Sequence, residues 1–345
     1  RASSVPLSRA NRRGLQIAVS LALSALFLYL ALRGEDWAAI RSELSGTRYR
    51  YLAAMAVLGT YVMFVRCQRW SVLIEAAVGS RPPLGPLFSA TAIGFMANML
   101  LPLRVGEFAR PYVASRRANV PLTTALATTV LERIFDLLVL FAFGLWVLAT
   151  ADVPQIIRQF TWLAGFAAGV LIVAVAIVHA NRGTLLPIID KLWNVFPDSV
   201  AGQIRLLEHE FLDGITTIAN PRVLVVVVAW SAYIWFLIAV SFALGFLATD
   251  IQVPFLGGGV TVTTIVALAV SLPGAPGFVG QFEWGCKIAL QQIYGVEGAR
   301  AVGFSIVTHI TQFVTQVTVG LVYLLREGLS LGQLGHLEAG SKDRE

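Results

Sequence analysis

The chain of 345 residues is 57% hydrophobic and only 13% charged, with a mean hydropathy of +0.73. A soluble domain carries far more charge, so the composition describes a protein that crosses a membrane several times. The net charge of +6 would point to nucleic acid in a soluble protein, but here the basic residues gather at the ends of apolar runs, as the bias of lysine and arginine toward cytoplasmic loops requires, and no nucleic-acid partner is expected.

Arg1, Arg9, Arg12 and Arg13 precede the apolar run 14–32. That run is as long as a full crossing and lacks a clean small-residue cleavage site, so it reads as the first membrane helix, with residues 1–13 forming a basic cytoplasmic N-terminus. The mixed-charge stretch 33–50 is then outside. A second crossing over 51–70 returns Arg66, Arg69 and Arg81 to the cytoplasm, and Pro82, Pro83 and Pro86 break the chain after it. The next apolar run, 87–101, is too short to cross. It reads as one arm of a re-entrant helical hairpin over 87–117 that turns at 102–106 and leaves Arg116 and Arg117 inside.

The run 122–148 crosses outward carrying Glu132, Arg133 and Asp136, and 160–178 returns. A cytoplasmic interval over 181–222 holds an amphipathic helix with Ile204, Leu207, Phe211, Ile215 and Ile218 on one face and Arg205, Glu208 and Glu210 on the other. Residues 223–247 cross outward. A second hairpin over 256–293, entered from the opposite side, has SLPGAPGFVG at its tip, and 299–325 crosses inward to leave a cytoplasmic tail, 327–345. The expected fold is thus an all-α polytopic membrane protein, a single transmembrane domain over 14–326 with six spans and two oppositely oriented re-entrant hairpins. In this arrangement 16 of the 26 lysines and arginines fall inside, which puts both termini in the cytoplasm.

The two hairpin tips resemble each other. PLRVGEFA begins at Pro102 and PGFVGQFE at Pro276; Val105, Gly106 and Phe108 match Val279, Gly280 and Phe282 at one constant offset, with Glu107 opposite Gln281. Farther on, with two residues inserted, Arg133 meets His309 and Asp136 meets Gln312. Such internal duplication is common in membrane transporters, and opposite entry of the hairpins would make it an inverted repeat.

The stretch LPLRVGEFARP places Arg104, Glu107 and Arg110 where an ionisable side chain costs about 3 kcal/mol unless paired or hydrated. Exposed amides where a helix begins favour anions, and glycine lets a ligand approach the backbone; Gly106 opens a helix at the first tip, and Gly277 and Gly280 lie at the second. Arg104 and Arg110 would complete a phosphate clamp there. Equally, they would pair with Glu107, Glu132 or Asp136 and simply hold the hairpin. Glu132, Arg133 and Asp136 share a helix region as either a buried ion network or a proton-coupling group. His309, Gln312 and Gln316 lie on one face of the last span, either lining a polar path or hydrogen-bonding helices together. Glu283 and Lys287, four apart, are expected to pair with each other. Cys67 and Cys286, each in an apolar run without a CxxC or Cys/His cluster, read as small buried side chains, and neither metal nor cofactor is expected.

RVGEFARP, then VP followed by ALATTVLERIFDLL, then LPGAPGFVGQFE resemble the flippase-like family named after the transmembrane region of lysylphosphatidylglycerol synthase. The resemblance covers about residues 14–325 and implies moving anionic, aminoacylated or polyprenyl-linked lipids between leaflets of a bacterial or archaeal cytoplasmic membrane. It points to Arg104, Glu107, Arg110, Glu132, Arg133, Asp136 and Glu283 as functional positions. The chain ends at Glu345 without a soluble aminoacyl-transfer domain, so lysyl transfer is not expected. None of His179, His209, His309 and His336 has a partner at a catalytic spacing, and no HExxH or GxSxG motif occurs, so a head-group enzyme is disfavoured. A carrier of small anionic solutes fits the hairpins as well as a flippase does. Membrane lipids are the expected partners; a second copy of the chain and a separate lipid-modifying enzyme remain open.

Overall fold

A computed structural model of the chain describes residues 9–180 and 220–330, all of whose regular elements are helical. Proline and glycine divide them much as the sequence leads one to expect. Helix α1 (Arg9–Leu32) and the short α2 (Trp37–Ser45) precede the long α3 (Tyr49–Val78). α4 (Leu84–Leu100) starts after Pro83 and stops before Pro102, whose ring disfavours helical backbone at Leu101. A single 3₁₀ turn, Pro102–Arg104, leads into α5 (Gly106–Arg117), and α6 (Leu122–Thr150) and α7 (Gln155–Ala180) follow. α8 (Pro221–Thr249) opens with Pro221 in its first turn and Asn220 as its N-cap, the Asn220 side chain accepting the Arg222 amide at 3.0 Å. α9 (Phe255–Ser271) leads through a second 3₁₀ turn, Pro276–Phe278, to α10 (Gln281–Lys287), which continues as a π-turn over Ile288–Ile293, and α11 (Gly298–Arg326) ends the described chain.

Among the described residues, five helices are long and apolar enough to cross a bilayer: α3, α6, the Gln155–Ala174 part of α7, α8 and α11. Their outward faces carry large apolar side chains, among them Val57, Trp162, Leu163, Phe166 and Val225, which lipid tails can cover. The chain is an all-helical membrane protein. The sixth crossing expected over 14–32 is helical, but its described apolar stretch, Leu21–Leu32, is short for a span. The amphipathic segment expected over 181–222 lies, up to residue 219, outside the described residues.

The second crossing is longer than the sequence leads one to expect. α3 does not stop at Trp70 but runs two more turns to Val78, and Arg66 and Arg69 do not emerge at the membrane surface: they are 7% and 0% exposed, within the bundle. Opposite charge from α6 keeps them there.

α3 and α8 pack along each other at the centre. One core, including Trp70, Ile93, Ala97 and Val113, lies where α4 and α5 meet α3; a second, including Phe246, Ile265, Phe282 and Phe304, lies among α8, α9, α10 and α11. Glycine permits the closest approaches. A Cβ on Gly106 would run into the Gly94 carbonyl oxygen and the Asn98 side chain, and one on Gly320 of α11 would run into Met96 of α4. A methyl group meeting a carbonyl oxygen forces backbone apart at a cost of about 1–3 kcal/mol. Gly106→Ala should therefore lower the thermal unfolding midpoint in detergent, whereas Gly169→Ala, whose new methyl group inside helix α7 meets nothing within 4 Å, should leave it unchanged or slightly raise it.

Candidate functional site

Asp136, Trp235 and Gln312 are the middle residues of α6, α8 and α11, and Arg66 lies within a turn of the middle of α3. All four line one cavity of about 430 Å³, within the ~300–1,000 Å³ usual for ligand sites. Its wall is divided by chemistry. Met55, Val62, Met63, Leu140, Ile238 and Val266 make an apolar part. Arg66, Arg104, Arg133, Glu107 and Asp136 make a charged part, and Asn98, Gln312, Thr315 and Gln316 an uncharged polar part.

Behind the charged wall lies a tightly bonded layer. Arg69 donates to Asp136 at 2.7 Å, to Ser231 of α8 at 2.8 Å and to Glu132 at 3.3 Å. Arg110 of α5 donates to Glu132 at 2.5 Å and lies 4.0 Å from the Trp70 ring centroid, and the Trp70 indole donates to Thr128 at 3.0 Å. The Trp235 indole donates to Asp136 at 3.1 Å. Glu132 is fully buried, so its two arginines do what water would do at a surface.

The layer facing the cavity is looser. Asp136 Oδ2 lies 3.6 Å from both Arg66 and Arg133, and Glu107 lies 3.9 Å from Arg133. These separations exceed the 2.7–2.9 Å of a charge-assisted hydrogen bond. Arg133 Nε and Asp136 Oδ2 have no hydrogen-bond partner, and neither do Arg69 Nη2 and Arg110 Nε, so it is the ion-pair distances that set the two layers apart. Across the charged part, three guanidinium groups face two carboxylates.

The two helix-connecting turns meet at the cavity. Arg104 donates to the Val270 carbonyl oxygen and lies 5.3 Å from the Phe278 ring centroid. Both residues have positive φ, 54° and 61°, a left-handed backbone that side chains other than glycine, asparagine and aspartate rarely adopt. Both also line a second cavity of about 280 Å³ beneath the turn 272–276, so the stacked pair stands between the two.

Of the residues singled out from sequence, Arg104, Glu107, Arg133, Asp136, Gln312 and Gln316 come together on the cavity wall. Arg110 and Glu132 lie behind it, bonded to each other. Gly106 is packed against Gly94 within the α4–α5 pair, and Gly280 against the backbone of α1. Gly277 touches the end of α4, its added Cβ lying 3.2 Å from the Met99 carbonyl oxygen. His309 faces Glu283 and the Gly277 carbonyl rather than the cavity. Glu283 and Lys287, expected to pair, take other partners: Lys287 bonds Glu35 at 2.6 Å and the Ala31 carbonyl at 2.9 Å. The residues that the sequence reading passed over are Arg66 and Arg69. Their i, i+3 spacing put both on one helix face; what concealed them was their nearness to the expected end of the span.

The family model described as the lysylphosphatidylglycerol synthase TM region matches residues 17–320. Among curated proteins, glycosyltransferase AglD of Haloferax volcanii is 25% identical over 368 residues, an alignment covering 96% of this chain and 58% of that protein. The chain thus spans little more than half the length of that relative. No solved structure matches. The relative bears an enzyme's name, and this overturns the expectation, drawn from the missing catalytic motifs, that the chain stands apart from enzymes.

The two-layered network makes a thermodynamic prediction. Arg69→Met leaves Asp136 and Glu132 each short of a cation at depth and should cost about 3–5 kcal/mol of stability. Arg69→Met/Asp136→Asn should recover part of that loss, read as the detergent unfolding midpoint of each variant.

Proposed function

We propose, for a chain that belongs to the lysylphosphatidylglycerol synthase transmembrane-region family, that its mid-bundle cavity binds the phosphate of a lipid head group and passes the lipid between leaflets. The observation that carries this reading is the loosely held pair of Arg66 and Arg133, joined by Arg104, on the wall of a cavity at the middle of four spanning helices. Cations at that depth are costly unless compensated, and the network as a whole, Arg66, Arg69, Arg104, Arg110 and Arg133 against Glu107, Glu132 and Asp136, carries a surplus of positive charge for an anion to neutralise. Guanidinium groups bind phosphate oxygens bidentately, the uncharged polar wall suits head-group hydroxyls, and the apolar wall suits the start of an acyl or polyprenyl chain. Arg104 and Arg133 hold the phosphate; Arg110, committed to Glu132, positions α5.

An inverted repeat with two re-entrant helix pairs, α4–α5 and α9–α10, supplies the movement in this reading. Supporting it, packing contacts among α3–α6 have counterparts among α8–α11: α3 with α4 and α8 with α9, α5 with α6 and α10 with α11, α4 with α11 and α9 with α6. Arg104 and Phe278, equivalent under the offset that aligns the two tips, share the same rare backbone and touch each other, as residues on a two-fold axis do. Alternating access follows by rocking one helix pair against the other. The chain would sit in a bacterial or archaeal cytoplasmic membrane with both termini inside.

A second reading comes from the glycosyltransferase relative. The same cavity would hold a lipid-linked sugar phosphate for a glycosyl transfer, Asn98, Gln312 and Gln316 meeting sugar hydroxyls. Radiolabelled sugar passing from a lipid-linked donor to an acceptor in proteoliposomes would favour it.

The flippase reading predicts that Arg133→Ala and Arg104→Ala each slow leaflet exchange of a fluorescent anionic phospholipid in proteoliposomes by about 10–100-fold, the worth of a hydrogen bond to a charged group. Unfolding midpoints should change little beside that of Arg69→Met. Wild-type exchange rates in both variants would refute the clamp.

A further inference from the structure

His309 anchors a polar cluster apart from the ion network. It is 6% exposed, as is Glu283. Its Nδ1 lies 2.5 Å from Glu283 Oε1 and its Nε2 lies 2.7 Å from the Gly277 carbonyl oxygen. Glu283 Oε2 accepts the Gly280 amide at 2.7 Å, and the Phe282 ring stacks on the imidazole with centroids 4.3 Å apart. Gly277 and Gly280 have φ of 70° and 91°, so the turn between them is sharply bent, and this cluster ties it to α10 and α11.

Proton balance defines the cluster. A carbonyl oxygen has no proton to give, so the 2.7 Å contact requires hydrogen on Nε2. The 2.5 Å contact between Nδ1 and Oε1 then needs a second proton, carried by the imidazole or by the carboxyl. Without it, two lone pairs would face each other at hydrogen-bond distance in a buried place, an arrangement that low dielectric makes strongly repulsive. The cluster therefore holds one proton more than a neutral imidazole beside an ionised carboxylate. We infer that His309 and Glu283 form a proton-binding site whose occupancy docks the turn 272–280 against α11, and that loss of the proton releases the turn.

The turn carries Phe278 onto the cavity wall, where Phe282 also lies, so docking and release reshape that wall. The other half of the chain has no such freedom: the position that matches His309 is Arg133, facing Glu107 with a charge that does not titrate in this range. The remaining ionisable groups on the elements around His309 have partners elsewhere. Lys287 of α10 is held by Glu35, Arg300 of α11 and Glu43 of α2 hold each other at 3.3 Å, Arg66 of α3 faces Asp136, and Arg104 of the first turn bonds Val270. Cys286 is a buried thiol on α10. α4 contains no charged residue, and α8 contains only Arg222 in its first turn.

The test reads the turn itself, and so succeeds or fails independently of lipid transport. Val279, 41% exposed, is replaced by cysteine in a Cys67→Ala/Cys286→Ala background, spin-labelled and examined by electron paramagnetic resonance in lipid nanodiscs from pH 4 to 10. The label should be immobilised at low pH and become mobile in a single transition as pH rises. His309→Arg, which keeps a cation and donors in place, should hold the label immobile throughout, and His309→Ala should leave it mobile throughout. Should His309→Ala prove polydisperse, the arginine variant decides by itself. A wild-type spectrum constant across the range, or a transition that persists in His309→Arg, would overturn the inference.

Discussion

A carboxylate at the centre of a bilayer must find its cation within the protein, and the packing of this chain follows from how Glu132 and Asp136 do so. Both lie on α6 near the middle of its crossing, where an unpaired charge is costly. The arginines that compensate them come from α3 and α5, and the neutral donors from α8. Four helices, α3, α5, α6 and α8, are thereby held at one level. Dispersion forces alone discriminate poorly among registers of apolar helices, whereas displacing α3, α5 or α6 by a turn would separate buried charges, and displacing α8 would remove two neutral hydrogen-bond partners. The ion network thus specifies register more than it adds stability, since taking so many charges out of water consumes most of what their attraction returns.

The network has an inner and an outer layer, and the distinction bears on function. Hydrogen bonds of 2.5–2.8 Å fix Arg69 and Arg110 to partners behind the cavity wall, although Arg69 Nη2 and Arg110 Nε keep no hydrogen-bond partner. Ion pairs of 3.6–3.9 Å leave Arg66 and Arg133 in reach of their carboxylates but not saturated by them. A site that binds and releases an anion needs this looseness, because a guanidinium already bonded well gains little by exchanging partners. Arg104 completes the wall from a turn whose left-handed backbone is strained, and strain of that kind persists where surrounding structure imposes it. Here the facing turn and its Phe278 impose it.

Helix positions were legible in the sequence because proline and glycine mark them. The first short pair was expected over 87–117 with a turn at 102–106, and helices run Leu84–Leu100 and Gly106–Arg117. The second was expected over 256–293, and helices run Phe255–Ser271 and Gln281–Lys287, with its π-turn reaching Ile293. Apolar runs near 20 residues announced the long crossings for the equally local reason that bilayer thickness sets their length. Arg66 and Arg69 show where such reading stops. Near the end of an apolar run, a basic residue that reaches the surface and one that turns inward to a carboxylate look alike in one dimension. Glu283 and Lys287 teach the same lesson, since i, i+4 spacing permits a pair but a histidine from α11 and Glu35 from the turn between α1 and α2 compete for it.

By itself, then, the sequence determined a membrane protein built of helices, where most of those helices begin and end, two similar glycine-bearing turns and a set of charges that hydrocarbon would not tolerate alone. Each of these rests on local backbone chemistry or on transfer free energy, which composition and spacing express directly. Only the tertiary structure decided how those charges divide: Arg110 into a buried pair, Arg133 onto a cavity wall, His309 into a cluster of its own. Pairing is a competition among partners tens to hundreds of residues apart, from Glu132 with Arg110 to Lys287 with Glu35, and it is settled by distance and desolvation once the helices have packed.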